Sequence, residues 1–295
     1  MEKQLSITVG IPTRYAGNSL LKTVQTIYAS NNVSDIKCII VADSVPLSDT
    51  LERELKKLGA KVYWNSTPGS QFKKLKQCID KTKSDIFIFT QDDITFRPDT
   101  ISEIVKTFIK HPRATMVGTR ILPLPPVTLF EKSMTSMLRI IDRVSGSWNK
   151  GKNYLSASGR CLSFSLDTLK KFNIRENIVN GDMYLYLENK RVGGEFMRSD
   201  KSIVYIRCPQ TVKDQIGPSS RYQFSLTELT QYFKFDIKPE YAIPFLAITL
   251  ATIYEVISHP ISAVLYFFVF IYTRVKHQPF HTISPIWKID ESTKK

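Results

Sequence analysis

The chain has 295 residues, 42% of them hydrophobic and 23% charged, which is the composition of a globular protein and excludes general disorder. Twelve glycines and fifteen prolines are too few for a collagen-like chain, and no long heptad series supports a coiled coil. The four cysteines, Cys38, Cys78, Cys161 and Cys208, stand far apart with no CxxC pair, so neither a disulfide framework nor a cysteine zinc site is indicated. A net charge of +14 suits a polyanion such as nucleic acid, a nucleoside diphosphate or a phospholipid surface, and equally suits a solvated basic surface.

Met1-Glu2-Lys3-Gln4 leads straight into an alternating segment, residues 5–11, that is too short for a secretory apolar region. The N-terminal part is therefore expected to stay in the cytosol. Residues 7–11 read as a strand. Leu20, Leu21, Val24, Ile27 and Tyr28 then recur at helical spacing, with Asn18 or Ser19 as the expected cap. Residues 36–42 form an almost unbroken apolar run, as a parallel strand buried on both faces requires. Leu51, Leu55 and Leu58 mark a second helix that Gly59 ends. A short strand over 61–64, a helix carrying Phe72, Leu75 and Ile79, and a strong strand over 85–90 follow. Asp99 is the expected cap of a helix with Ile101, Ile104, Val105 and Phe108 inward.

Strands alternating with helices predict an α/β fold with a mostly parallel sheet flanked by helices. Ligands in such sheets sit beyond the carboxyl ends of the strands. That rule selects Pro12-Thr13-Arg14, Asp43-Ser44 and Gln91-Asp92-Asp93. Two adjacent carboxylates at the end of a buried strand call for a cation, and a hard divalent metal with a diphosphate is the natural partner; a turn or capping Asp pair is the plainer alternative.

After His111 the regularity weakens. Residues 121–126, with three prolines, read as an extended linker. Phe130, Met134, Met137, Leu138, Ile141 and Val144 follow at helical spacing, as a core-facing stripe. Residues 242–272 are nearly all apolar, with Glu255 the one formally charged residue. As one helix this run would be roughly 46 Å long, against a hydrocarbon core of ~30 Å. It predicts a kinked transmembrane helix, a hairpin turning near Pro260 and dipping into one leaflet, or a buried soluble helix pair. Lys234 and Lys238 before it and Arg274 and Lys276 after it favour both ends staying cytosolic. The stretch beyond Lys276 reads as a loose polar extension.

The three strand-end segments, in their order and spacing, together with Gly69 and Lys73-Lys74, resemble the family-2 glycosyltransferases of GT-A fold over roughly residues 5–222. The resemblance implies a membrane-bound inverting glycosyltransferase that moves a sugar from a UDP- or GDP-linked donor. It implies that Pro12, Thr13 and Arg14 line the donor pocket, that Asp43 binds the base or ribose, and that Lys74 approaches the nucleotide. Asp92 and Asp93 match the last two positions of the family's DxD motif, so Asp92 would face the ribose and Asp93 would hold Mg2+ or Mn2+. Gln91 stands at the motif's first position, one carboxylate fewer. Residues 157–161, with Arg160, look like the glycine-containing segment beside the donor sugar. Asn180-Gly181-Asp182 stands where the family has its general base, which implies that role for Asp182; a helix N-cap is the plainer role. Residues 219–222 resemble the tail of the QxxRW motif, with Pro218 for the Gln and Tyr222 for the Trp, leaving Arg221 to touch the diphosphate.

On this reading residues 1–120 are the nucleotide-sugar-binding half and 121–238 the acceptor-binding and catalytic half of one domain, 239–277 a membrane segment and 278–295 a polar tail. The apolar segment points to a lipid-linked or glycolipid acceptor, with the catalytic domain on the cytoplasmic side of a membrane. A polysaccharide synthase subunit and a catalytically inactive, membrane-tethered scaffold of the same fold are the alternatives. Nucleic acid is not an expected partner, since aromatic residues do not interleave with basic runs.

Overall fold

A computed structural model describes residues 5–14, 17–279 and 283–286. The first four residues and most of the expected polar tail (280–282 and 287–295) lie outside the described residues, as do positions 15 and 16.

The first half follows its sequence pattern closely. Strand β1 (Ile7–Arg14) leads to helix α1 (Asn18–Tyr28), β2 (Ile36–Asp43) to α2 (Asp49–Lys57), and β3 (Lys61–Asn65) to α3 (Gln71–Asp80) before β4 (Ile86–Thr90). The cap of α1 is Gly17 and makes no side-chain bond, so neither Asn18 nor Ser19 fills the expected role. In α2 the Ser48 hydroxyl accepts the Leu51 N–H, acidic residues occupy the first turn and lysines the last, an arrangement that suits the helix dipole. Gly59 ends that helix with φ +94, a conformation glycine adopts at no steric cost. Short β5 (Ile94–Phe96) comes next, then α4 (Thr100–Lys110). Asp99 sits at the N-cap of α4, yet its carboxylate pairs with Arg97 instead of capping the helix.

Beyond α4 the chain runs through β6 (Ala114–Pro123), α5 (Leu129–Ser147), β7 (Cys161–Ser165), α6 (Leu166–Leu169), α7 (Gly181–Arg191), β8 (Glu195–Ile206) and α8 (Val212–Leu229). The expected linker at 121–126 is corrected in its first half, because residues 121–123 continue β6 in register with Val204, Tyr205 and Ile206 of β8. Pro123 is tolerated as the last residue of that strand, where no ladder donor is needed. The division expected at residue 120 thus falls inside β6, and both halves share one sheet.

That sheet has eight strands in the order β3-β2-β1-β4-β7-β6-β8-β5. Parallel pairs join β3, β2, β1 and β4, and again β6 with β8, whereas β7 runs antiparallel to both its neighbours and β5 antiparallel to β8. The α/β class stands, but the sheet is mixed rather than mostly parallel. Apolar side chains from α1, α4 and α5 fill one face, with Ile7, Val9 and Ile11 of β1 fully buried there. Those of α3 and α7 fill the other, around Phe72, Phe87 and Tyr184.

The apolar run near the C-terminus forms two helices, α9 (Phe245–Ser258) and α10 (Pro260–Val275). They are separated by His259, whose φ −142 and ψ 58 are not helical, with Pro260 opening α10 at a position where proline's missing N–H costs nothing. Residues 238–258 are long and apolar enough to cross a membrane by length and composition alone, although Lys238–Tyr241 is a separate 3₁₀ turn.

Candidate active site

The carboxyl end of β1 places Thr13 beside the turn that follows β4, and the Thr13 hydroxyl donates to Asp92 Oδ2. Asp92 is buried and Asp93 half-buried. The turn bearing them is held at both ends. Before it, Thr90 Oγ1 donates to the Arg160 carbonyl at 2.6 Å; after it, the Ile94 and Phe96 amides donate to Thr23 and Thr26 of α1, each at 3.1 Å. The two carboxylates therefore sit on fixed backbone, as a charge-bearing site requires.

Asp43 ends β2 and is 0% exposed. Its Oδ2 accepts from Lys74 Nζ and from the Gly69 N–H, both at 2.7 Å, and its Oδ1 from Ser44 at 3.2 Å. Burial pulls the Lys74 ammonium below its usual range, against the opposing pull of Asp43. Asp43 and Lys74, both expected at the nucleotide, form a buried ion pair that ties β2 to α3 and to the Gly69 loop. What reaches the surface at this strand end is Ser44, with Arg14 donating to its hydroxyl at 3.1 Å. Pro12, inside β1, is buried and pairs with Val41.

Asp182 is the second residue of α7, half-buried, and the N-cap of that helix is Asn180. Its carboxylate takes the Gly159 backbone N–H and faces the positive charges of Arg160 and Arg221. Burial raises its pKa above the ordinary aspartate value; the Gly159 amide and the two guanidinium groups pull the other way. The carboxylate is therefore not spent on capping its own helix, and a carboxyl with raised affinity for a proton is the property a general base needs. Because Arg160 and Gly159 belong to the segment that Thr90 grips, this group is tied to the strand end that bears Asp92 and Asp93.

Two supports of the site carry no signal in the sequence. Glu228 of α8 is buried and accepts from the Val179 N–H at 2.6 Å, the Asn180 N–H at 3.0 Å and Asn180 Nδ2 at 2.6 Å. It fixes the loop that delivers Asp182. Arg160 also bonds Tyr222, the residue after Arg221. Both contacts join residues tens of positions apart, beyond any local pattern.

Among the described residues no group of three or more His, Cys, Asp or Glu is arranged to hold a metal ion. With Gln91 at the first position, the protein's donors are the adjacent carboxylates of Asp92 and Asp93. That set fits Mg2+ or Mn2+ in the manner usual for Mg2+, with one or two carboxylates and the remaining oxygens from substrate phosphates.

Compared with known protein families, the chain matches Glycosyl transferase family 2 over residues 8–171, more than half its length. No curated protein matches it by sequence. Among solved structures it is similar to the mannosyltransferase PcManGT from Pyrobaculum calidifontis in complex with GDP-Man and Mn2+, with a TM-score of 0.58 and 12% identity, covering 94% of this chain and 77% of that one. Mannosyl-3-phosphoglycerate synthase from Rubrobacter xylanophilus gives 0.53 and 13%, covering 79% and 77%. Glucosyl-3-phosphoglycerate synthase from Mycobacterium tuberculosis, in complex with Mn2+, UDP-glucose and phosphoglyceric acid, gives 0.51 and 16%, covering 77% and 79%. At these identities the likeness is one of fold.

Proposed function

The chain belongs to glycosyltransferase family 2 and is a glycosyltransferase of GT-A-like fold that uses a nucleotide sugar, and we propose that it transfers a hexose with inversion from a UDP- or GDP-linked donor to a lipid-linked acceptor at a membrane. The observation that carries the reading is the Thr90–Arg160 bond, which joins the Asp92-Asp93 turn to the segment whose Gly159 amide holds Asp182.

In this mechanism Asp182 removes the proton of the acceptor hydroxyl as its oxygen attacks the anomeric carbon. The new carbon–oxygen bond forms as the bond to the diphosphate oxygen breaks, and the electron pair leaves with the diphosphate. A single displacement inverts the anomeric centre. Arg160 and Arg221, whose positive charges act on this carboxylate, would also hold negative charge on the leaving group. Thr13 fixes Asp92 toward the ribose, and Asp93 with the diphosphate would hold Mg2+ or Mn2+. When bound, that cation neutralises charge on the departing phosphate oxygens. The lipid acceptor and the membrane setting are supported by the exposed apolar faces of α9 and α10. The positive residues flanking α9 and α10, Lys238 on one side and Arg274 and Lys276 on the other, support a catalytic domain on the cytoplasmic side.

The test is Asp182→Asn. Donor affinity should hold while the initial transfer rate falls by roughly 10²–10⁴-fold, the usual contribution of a positioned general base. An unchanged rate would remove Asp182 from the mechanism. No transfer by the wild-type chain with any common donor would favour the inactive scaffold.

A further inference from the structure

Helices α9 and α10 have their polarity turned inside out. Phe245, Leu246, Ile257, Ile261, Phe268 and Val275 point away from the protein, each at least 66% exposed. The residues they turn inward are small or polar: Ala251, Glu255, Ser262, Ala263 and Thr273 are buried. A water-soluble helix pair shows the reverse pattern.

The inward face is fastened to the catalytic domain through both helices. Glu255 of α9, 0% exposed, accepts from Arg139 at 2.6 and 2.8 Å and from Arg143 at 2.7 Å, both on α5. Near the end of α10, Thr273 meets Ser219 of α8 at 3.2 Å, and the Gln278 N–H just beyond the helix donates to Ser220 at 2.9 Å. Helix α5 cannot enter hydrocarbon, because it carries Lys132, Arg139, Asp142 and Arg143 and packs on the sheet through the Asp142 pairs with Arg120 and Arg198. Helices tied along such a body cannot stand upright in a bilayer. As continuous α-helix, 14 and 16 residues rise about 21 and 24 Å against a hydrocarbon core of about 30 Å, and the 238–258 stretch reaches spanning length only by counting the 3₁₀ turn and the non-helical residues 242–244.

From this geometry we infer that α9 and α10 lie flat in one leaflet of an anionic bilayer, with both flanks on the side of the catalytic domain and the α8 turn bearing Arg221 held at headgroup level. The inference rests on the membrane reading given above. Exposed Arg274 and Lys276 at one end and Lys238 at the other supply the positive charge that anionic headgroups attract. The attachment brings the lipid surface to α8, whose Glu228 holds the loop ahead of Asp182, so an acceptor group carried at the level of the lipid phosphates meets the base without leaving the leaflet.

The experiment uses the full chain and two single-cysteine reporters, Lys238→Cys and Lys276→Cys; the native cysteines are all buried. Flotation with phosphatidylcholine vesicles containing phosphatidylglycerol should succeed. It should be lost in an Ile257→Asp, Ile261→Asp double variant whose melting temperature is unchanged. A membrane-impermeant maleimide should label both reporters in inverted vesicles and neither in intact spheroplasts. Labelling of the two from opposite sides of the membrane would overturn the flat arrangement and leave membrane attachment standing. A full chain that does not float, or that buries these faces in a lipid-free dimer, would overturn both.

Discussion

A methyl group on Gly159 would stand 2.2 Å from Asp182 Oδ1 and 3.2 Å from the Phe89 ring. No side chain fits between the loop and the carboxylate, because the backbone N–H of that same residue must reach the aspartate. Gly159→Ala should therefore displace Asp182 while leaving the donor pocket built by β1 and β4 intact. The expected result is a transfer rate lower by about 10²-fold, as a displacement near 1 Å costs, with donor affinity within a factor of a few of wild type. Steady-state kinetics beside calorimetric donor binding measures both.

The acid side of the pH–rate profile reports the same carboxyl. A base must be deprotonated to act, so kcat/KM falls as pH drops through its pKa. Burial holds the Asp182 pKa above the ordinary aspartate value, and the limb should lie correspondingly high. Arg221 pulls that pKa down, so Arg221→Gln should move the limb to higher pH. A limb that stays in place in the variant would uncouple Arg221 from the base.

Lys74 and Asp43 form a pair whose side chains are 5% and 0% exposed. Lys74→Met would leave the Asp43 carboxylate buried without its cation, at a cost of about 3–5 kcal/mol. Adding Asp43→Asn should restore much of the loss, since the amide still accepts the Gly69 N–H. Chemical denaturation of the two single variants and the double variant closes the cycle, and strictly additive losses would refute the coupling.

For the metal, Mn2+ alone should bind weakly and a nucleoside diphosphate should raise its affinity, because the substrate supplies most of the oxygens. Asp93→Asn should remove the metal-dependent part of nucleotide affinity and spare the metal-free part. Titration calorimetry with UDP and with GDP, with and without Mn2+, reads the difference; a metal increment that survives in the variant would exclude Asp93 as a ligand.

The first half was legible because each strand and helix announces itself locally. An unbroken apolar run such as residues 36–42 can be satisfied by a parallel strand buried on both faces, and its polar end then marks the cleft. The second half depends on distant partners. The end of β6 reads as a linker at Pro123 because the strand that completes it, β8, lies some eighty residues later in the chain. Glu255 reads as a stray charge in an apolar run; the arginines that neutralise it are 116 and 112 residues away. At the site, the strand-end carboxylates and Asp182 were visible as motif positions. The commitment of Asp43 to Lys74, the grip of Thr90 on Arg160 and the role of Glu228 are products of tertiary packing, which no local spacing encodes.

Helix α8 is engaged at its middle and near its C-terminal end. Ser219 and Ser220 hold Thr273 and the chain just beyond α10, and Glu228, about 12 Å further along the axis, holds the loop ahead of Asp182. The α9–α10 pair and the catalytic domain are therefore not separable modules. A truncation that removes α9 and α10 to yield a soluble enzyme also strips the outer flank of the helix that sets the base, and a slower enzyme is its direct consequence.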